Sequence, residues 1–145
     1  MDMNTEFPIG AAVIGLVASH RAMITKQIRA FDLYPGQDMM LMQLLGQPNQ
    51  SQNDLRKALH VDHSTIAKSI GRLAKREIVT TTKSTQDKRI TLVSLTPRGI
   101  DLAKQVVAIW HAAEETALNR LTESQKDDFL NDAKQITTNF DQKNA

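Results

Sequence analysis

Residues 63–76 (HSTIAKSIGRLAKR) carry the densest chemistry in the chain. Wound at about 100° per residue from Ser64, the residues Ser64, Thr65, Lys68, Ser69, Arg72, Lys75 and Arg76 fall within roughly 0–140°. Ile66, Ala67, Ile70, Leu73 and Ala74 fall within roughly 180–300°. One face is apolar, and the opposite face is cationic and hydroxylic with no acid on it. A helix that is merely solvated usually mixes signs, so a one-signed face suits a groove lined by phosphates. Ser64 and Thr65 sit in the first turn, where hydroxyls can serve bases or phosphates. Arg72 has the forked donors that match guanine O6 and N7, Lys68 can serve phosphate or base, and Lys75 can anchor on phosphate.

A second basic group, Lys88-Arg89, follows Asp87 in a polar turn, Ser84-Thr85-Gln86-Asp87-Lys88. The remaining reactive residue types assemble into nothing catalytic. Asp62-His63-Ser64 contains triad residues, but neighbours in one segment cannot reach triad geometry, which needs approach from separate elements. Walker, G-x-G-x-x-G and H-E-x-x-H patterns are missing. No enzyme and no cofactor is expected. His20, His60, His63 and His111 are scattered, with Glu114 and Glu115 near His111, and none has ligand spacing to a second histidine. Cysteine is absent, which removes disulfides, thiolate zinc sites and thiol redox switches. Six methionines read as core filler.

The elements that must position these groups are legible from period and caps. From Pro8, the residues Ile9, Val13, Leu16, His20, Ile24 and Phe31 recur at helical spacing, which predicts a helix of roughly 23 residues, about 34 Å long. It breaks at Asp32-Leu33-Tyr34-Pro35-Gly36. A second helix presents Met39, Met40, Leu41, Leu44 and Leu45 and ends at Gly46-Gln47-Pro48. Ser51 caps a short third helix, and His60-Val61-Asp62 is a tight turn into the fourth, which Asp62 caps. Two short helices so joined are a helix-turn-helix unit, whose second helix enters the major groove. His63 falls on the apolar side of that helix's wheel. Ile78–Thr82 and Ile90–Leu95 are β-branched runs on either side of the polar turn, and they predict a β-hairpin wing able to reach the neighbouring minor groove. Thr96 and Pro97 start a long fifth helix to about Leu118. Thr122-Glu123-Ser124-Gln125 is a capping box for a sixth, with Phe129, Ala133, Ile136 and Phe140 on one side and a frayed polar tail beyond.

Charge is distributed in step with this division. Residues 51–99 carry +6, the first fifty −1 and the last forty-six −3, within a chain of 145 residues and net charge +2. The basic middle third points to a polyanion. No apolar run approaches the ~20 residues of a membrane span. Ile9–Ala18 is apolar but short, and Asp2 and Glu6 precede it where a secretory signal would be basic. A cytoplasmic protein without membrane attachment is expected.

Ser51-Gln52-x-x-Leu55, the capped fourth helix, Asp87-Lys88-Arg89 and Leu95-Thr96-Pro97-Arg98-Gly99 together resemble the MarR (multiple-antibiotic-resistance regulator) family of bacterial transcriptional regulators. The matching patterns are D-x-R in the wing and L-T-x-x-G at the start of the next helix, with the helix order kept along nearly the whole chain. The resemblance implies a mainly α fold with a small β-wing. It comprises an N-terminal dimerisation arm (1–32), a winged helix-turn-helix DNA-binding domain (33–99) and C-terminal dimerisation helices (100–145). It implies a homodimer on a pseudopalindrome of double-stranded DNA, acting as a ligand-responsive repressor, with Asp87 orienting Arg89 in the minor groove. It also implies a small aromatic or phenolic effector between arms and winged domain, for which His20, Met23, Met39, Met42, Trp110 and His111 are candidate lining. A metal-responsive regulator of the same fold is the alternative. The dimer has independent support, because the first, fifth and sixth helices carry more apolar surface than one small winged domain can cover. Two residues depart from the family pattern: Glu77 stands where glycine often closes the recognition helix, and Arg56 where alanine is usual.

Overall fold

The structure, a computed structural model, describes all 145 residues. The chain forms two compact units, Met1–His111 and Ala112–Ala145. The first begins with α1 (Met3–Glu6) and α2 (Pro8–Ile28), which Pro8 starts at its first turn and a 3₁₀ turn, Arg29–Phe31, extends. There follow α3 (Gln37–Gly46), β1 (Gln50–Ser51), α4 (Gln52–Leu59), α5 (His63–Lys75), β2 (Val79–Lys83), β3 (Thr91–Leu95) and α6 (Pro97–Ala117). α7 (Glu123–Asn144) lies within the second unit.

The core of the first unit gathers one face from each element. Ile24 and Ile28 come from the end of α2, Met40, Leu41 and Leu44 from α3, and Leu55 from α4. Ile66, Ile70 and Leu73 come from α5, Val93 from β3, and Ala103 and Val106 from α6. Each large side chain here contributes about 1.5–3 kcal/mol by leaving water. The stripe on α2 continues outward past the core: Ile9, Val13, Leu16 and Val17 share its spacing and are exposed. In α7, Phe129, Leu130 and Phe140 are exposed as well.

Three helices end the same way. Asp32, His60 and Glu77 adopt left-handed backbones (φ 54°, 55° and 57°) and close the 3₁₀ extension of α2, α4 and α5. The next residue's amide reaches back five positions in each case: Leu33 to the Ile28 carbonyl, Val61 to Arg56 and Ile78 to Leu73. Leu33 and Ile78 are then buried, so a hydrophobic anchor follows each of those two reversals. A side chain in this conformation costs about 1 kcal/mol relative to glycine.

The sheet is antiparallel in the order β1-β3-β2, with Gln50 opposite Val93 and Val79 opposite Leu95. β1 enlarges the expected hairpin to three strands, and its two polar residues gave no alternation to read. Gln50 is buried there with its amide bonded to Gln43 and to the Gln47 carbonyl. Thr96 and Gly99 weld α6 to the start of β2. The Thr96 hydroxyl donates to the Glu77 carbonyl at 2.6 Å and accepts from the Gly99 amide at 3.0 Å. A Cβ on Gly99 would lie 2.0 Å from the Ile78 carbonyl oxygen, so only glycine fits.

Some expectations change. Ala67 and Ala74 are exposed, at the margins of the α5 stripe rather than in it. His63 is exposed instead of facing the apolar side, because it occupies the first position after the cap, before the wheel's inner face begins. The polar tail after Phe140 stays helical through Asn144. Ile9–Ala18 belongs to a continuous helical stretch, Pro8–Phe31, of 24 residues that contains an 18-residue window of mean hydropathy 1.3, long and apolar enough by length and composition to cross a membrane. His20 and Arg21 interrupt the apolar run without ending the helix, which continues with Met23, Ile24 and Ile28.

Candidate nucleic-acid interface

The two helices of the helix-turn-helix unit are each fixed by a cap. Ser51 accepts the Asp54 amide at 3.1 Å while the Asp54 carboxylate takes the Ser51 amide at 3.0 Å, a reciprocal box at the start of α4. Asp62 accepts the Thr65 amide at 2.7 Å at the start of α5. That backbone bond, with Thr65's hydroxyl, holds the Asp62 carboxyl below the usual carboxylate range. Ile66, Ile70 and Leu73 then seat α5 in the core and leave the opposite face to solvent.

On that face Ser64, Thr65, Lys68, Arg72 and Lys75 are exposed and Ser69 is half-buried. The chain holds two ion pairs, Asp87–Arg89 and Glu123–Lys126, so none of the α5 cations is neutralised by a protein carboxylate. Arg72 rests its guanidinium carbon 5.1 Å from the centre of the Tyr34 ring. Arg76 departs from the cationic face. It donates to the Asp32 carbonyl at 2.7 Å and the Phe31 carbonyl at 2.8 Å and is half-buried.

At the wing, Ser84 and Ile90 close the loop through a 2.9 Å backbone bond. The Asp87 carboxylate accepts from the Arg89 amide and Nε (3.0 and 3.1 Å) on one oxygen and from an Arg89 terminal nitrogen (3.0 Å) on the other. These bonds lower the Asp87 pKa and raise that of Arg89. The Arg89 side chain is 91% exposed, so its guanidinium is aimed without being covered. Lys88 is exposed beside it. Between the wing and the start of α4 runs an open groove of about 910 Å³, with Ser51, Asn53, His63, Ser84 and Arg89 on its walls.

The candidate effector residues divide. His20 meets Trp110 edge-on, ring centres 4.9 Å apart. The Trp110 indole donates to Asp38 at 2.9 Å, and Asp38 is buried in the first turn of α3, where it also accepts the Gly36 amide. Met23, Met39 and Met42 are half-buried and His111 is exposed. No three His, Asp or Glu side chains converge as a metal site. Asp38 and Tyr34 escaped the sequence reading: a carboxylate at a helix start and an aromatic in a turn look ordinary until their distant partners are known.

Residues 35–99 match the family model described as a winged helix DNA-binding domain. In sequence the chain is 34% identical over 68 residues to the transcriptional regulator AdcR of Streptococcus pyogenes serotype M6, across 47% of this chain. That match spans 44% of the relative's length. In fold it is similar to the MepR–DNA complex of S. aureus (TM-score 0.85, 21% identity, 92% of this chain and 99% of that one). It is likewise similar to a mutant MarR from E. coli complexed with operator DNA (TM-score 0.84, 20% identity, 94% of this chain and 99% of that one). Residues 35–99 are therefore similar to a winged helix DNA-binding domain, and the chain shares the fold of the MepR and MarR structures.

Proposed function

We propose that the chain is a cytoplasmic transcriptional regulator that binds double-stranded operator DNA as a homodimer and represses until a small ligand releases it. The observation that carries the DNA reading is the set of unneutralised cations on α5 beside an arginine that Asp87 holds in one orientation. An exposed cation without an internal partner keeps its full attraction for phosphate, and a pre-aimed guanidinium loses less rotamer entropy on docking. α5 enters the major groove with Ser64, Thr65, Lys68 and Ser69 near base edges, Arg72 on guanine and Lys75 on phosphate, while Lys88 and Arg89 reach the minor groove.

The homodimer follows from the stripe on α2. Its last two turns are buried by the chain's own core, and the same stripe runs on exposed through Val17, Leu16, Val13 and Ile9. A second copy covers it, together with Phe129, Leu130 and Phe140 of α7. Two recognition helices then meet a pseudopalindrome whose half-sites lie about one turn apart. The arms are residues 1–32 and 100–145 and the reading head is 33–99. A small aromatic or phenolic effector lodges near His20, Met23, Met39, Met42, Trp110 and His111, where an aromatic pair and three half-buried methionines offer adaptable apolar surface.

The test is selection of DNA from a randomised pool, followed by binding titrations at several salt concentrations. An enriched inverted repeat bound with a steep salt dependence supports the reading. Recovery of no preferred sequence, or binding that ignores salt, refutes it. Screening small acids and phenols by thermal shift, with DNA release as the second readout, tests the ligand response.

A further inference from the structure

The end of the recognition helix is tied by Arg76 to the 3₁₀ end of α2 and by Arg72 to the connector that follows it. Arg76 sends its two terminal nitrogens to successive carbonyls, Asp32 at 2.7 Å and Phe31 at 2.8 Å. These carbonyls lie where the α2 rod runs out into a left-handed residue, so they lack helical partners and carry the negative end of the helix dipole. A planar fork holds two donors in fixed directions toward both, whereas a lysine ammonium is a compact point charge on a flexible stem. One turn earlier, Arg72 packs on the ring of Tyr34, three residues beyond Phe31. Between these contacts Leu33 is 3% exposed and Leu73 fully buried, so connector and helix are each pinned to the same core.

We propose that Arg76 and Tyr34 are positioning residues for DNA reading. Arg76 fixes the pitch of the recognition helix against the 31–34 connector, and Tyr34 sets the direction of Arg72. Arg76 is thus no phosphate contact, although it shares the cationic face of the helical wheel with Lys68, Arg72 and Lys75. This rests on the DNA-binding reading above, and the two can fail separately.

The experiment compares full-length Arg76→Ala, Arg76→Lys, Tyr34→Leu and Tyr34→Phe with the parent, after circular dichroism establishes that each is folded. Hydrogen exchange without DNA reads the connector, and affinity for the selected operator at several salt concentrations reads function. Both Arg76 variants should exchange faster at residues 31–34 and bind roughly tenfold more weakly, with the parent's salt slope unchanged. Tyr34→Leu should lose discrimination at the base pair that Arg72 reads, whereas Tyr34→Phe, which keeps the ring, should match the parent. If Arg76→Lys binds like the parent while Arg76→Ala lowers the salt slope by about one, Arg76 is a phosphate anchor and the proposal is overturned. Unchanged exchange in both Arg76 variants overturns it as well. Faster exchange in variants of a parent that selects no DNA would keep the clamp and reject the DNA-binding reading.

Discussion

Asp87 and Arg89 were legible in the sequence because the pair is local: a short carboxylate two residues before an arginine can fold back onto it, and it does so through three bonds. Arg89→Ala should weaken operator binding and flatten any preference for A·T over G·C pairs flanking the half-sites, since narrow A·T grooves hold the deepest negative potential. Asp87→Ala should cost less, because the charge stays and only its aim is lost. Binding series on sites with exchanged flanks check both, and equal flank preference in parent and Arg89→Ala would remove the wing from the mechanism. The left-handed backbone of Glu77 was foreshadowed only by the family resemblance, in which glycine often stands at this position. Glu77→Gly should raise stability by about 0.5–1 kcal/mol, read from denaturant unfolding, as backbone strain is relieved against some gain in unfolded-state freedom. By contrast, Arg76 on Phe31 and Trp110 on Asp38 span 45 and 72 residues, and no local pattern announces such partners.

At the scale of elements, periodicity and caps located six helices and the wing, because amphipathic spacing and the Ser51, Asp62 and Thr122 caps are short-range signals. β1 stayed hidden because its two residues pair with β3 only after the chain has returned. Asp62 gives α5 a dependence on acidity. Its carboxyl is held below the ordinary range by the Thr65 amide. The stabilisation is therefore present above the unfolded pKa and disappears as pH falls through the lowered folded value. Thermal melts from about pH 6 to pH 3 should show a steeper loss in the parent than in Asp62→Asn, whose cap does not titrate. The junction of α6 with β2 admits no side chain at Gly99. Gly99→Ala should destabilise by about 1–3 kcal/mol or more, since the obstructing atom is a backbone carbonyl that cannot rotate away.

For the molecule as a whole, the basic middle third and the apolar arm stripe separate the proposed DNA contacts from the proposed subunit contacts along one chain. Val13→Glu with Val17→Glu charges the exposed stripe without touching the core. Sedimentation of the parent should give about twice 16.2 kDa, and the double variant should move toward a single chain and bind the operator weakly. A parent that sediments as one chain while binding tightly, or that partitions onto lipid vesicles through Pro8–Phe31, would overturn the dimer. The division into helices and wing could be read from sequence. That only the last two turns of α2 are covered by this chain could not, because burial depends on where the stripe lands after folding.

A stripe that belongs to one copy but is finished by another has a genetic consequence. A copy stripped of Lys68, Arg72 and Arg89 keeps Ile9, Val13, Leu16 and Val17 and still pairs with intact copies. Each mixed pair then owns a single working head and grips half an operator. Expressed in equal amounts, the defective allele would sequester intact chains in mixed pairs and leave only about a quarter of the pairs fully competent, by random pairing of two kinds of subunit. Loss of DNA reading should therefore be dominant, while loss of the stripe itself, through Val13→Glu and Val17→Glu, should be recessive.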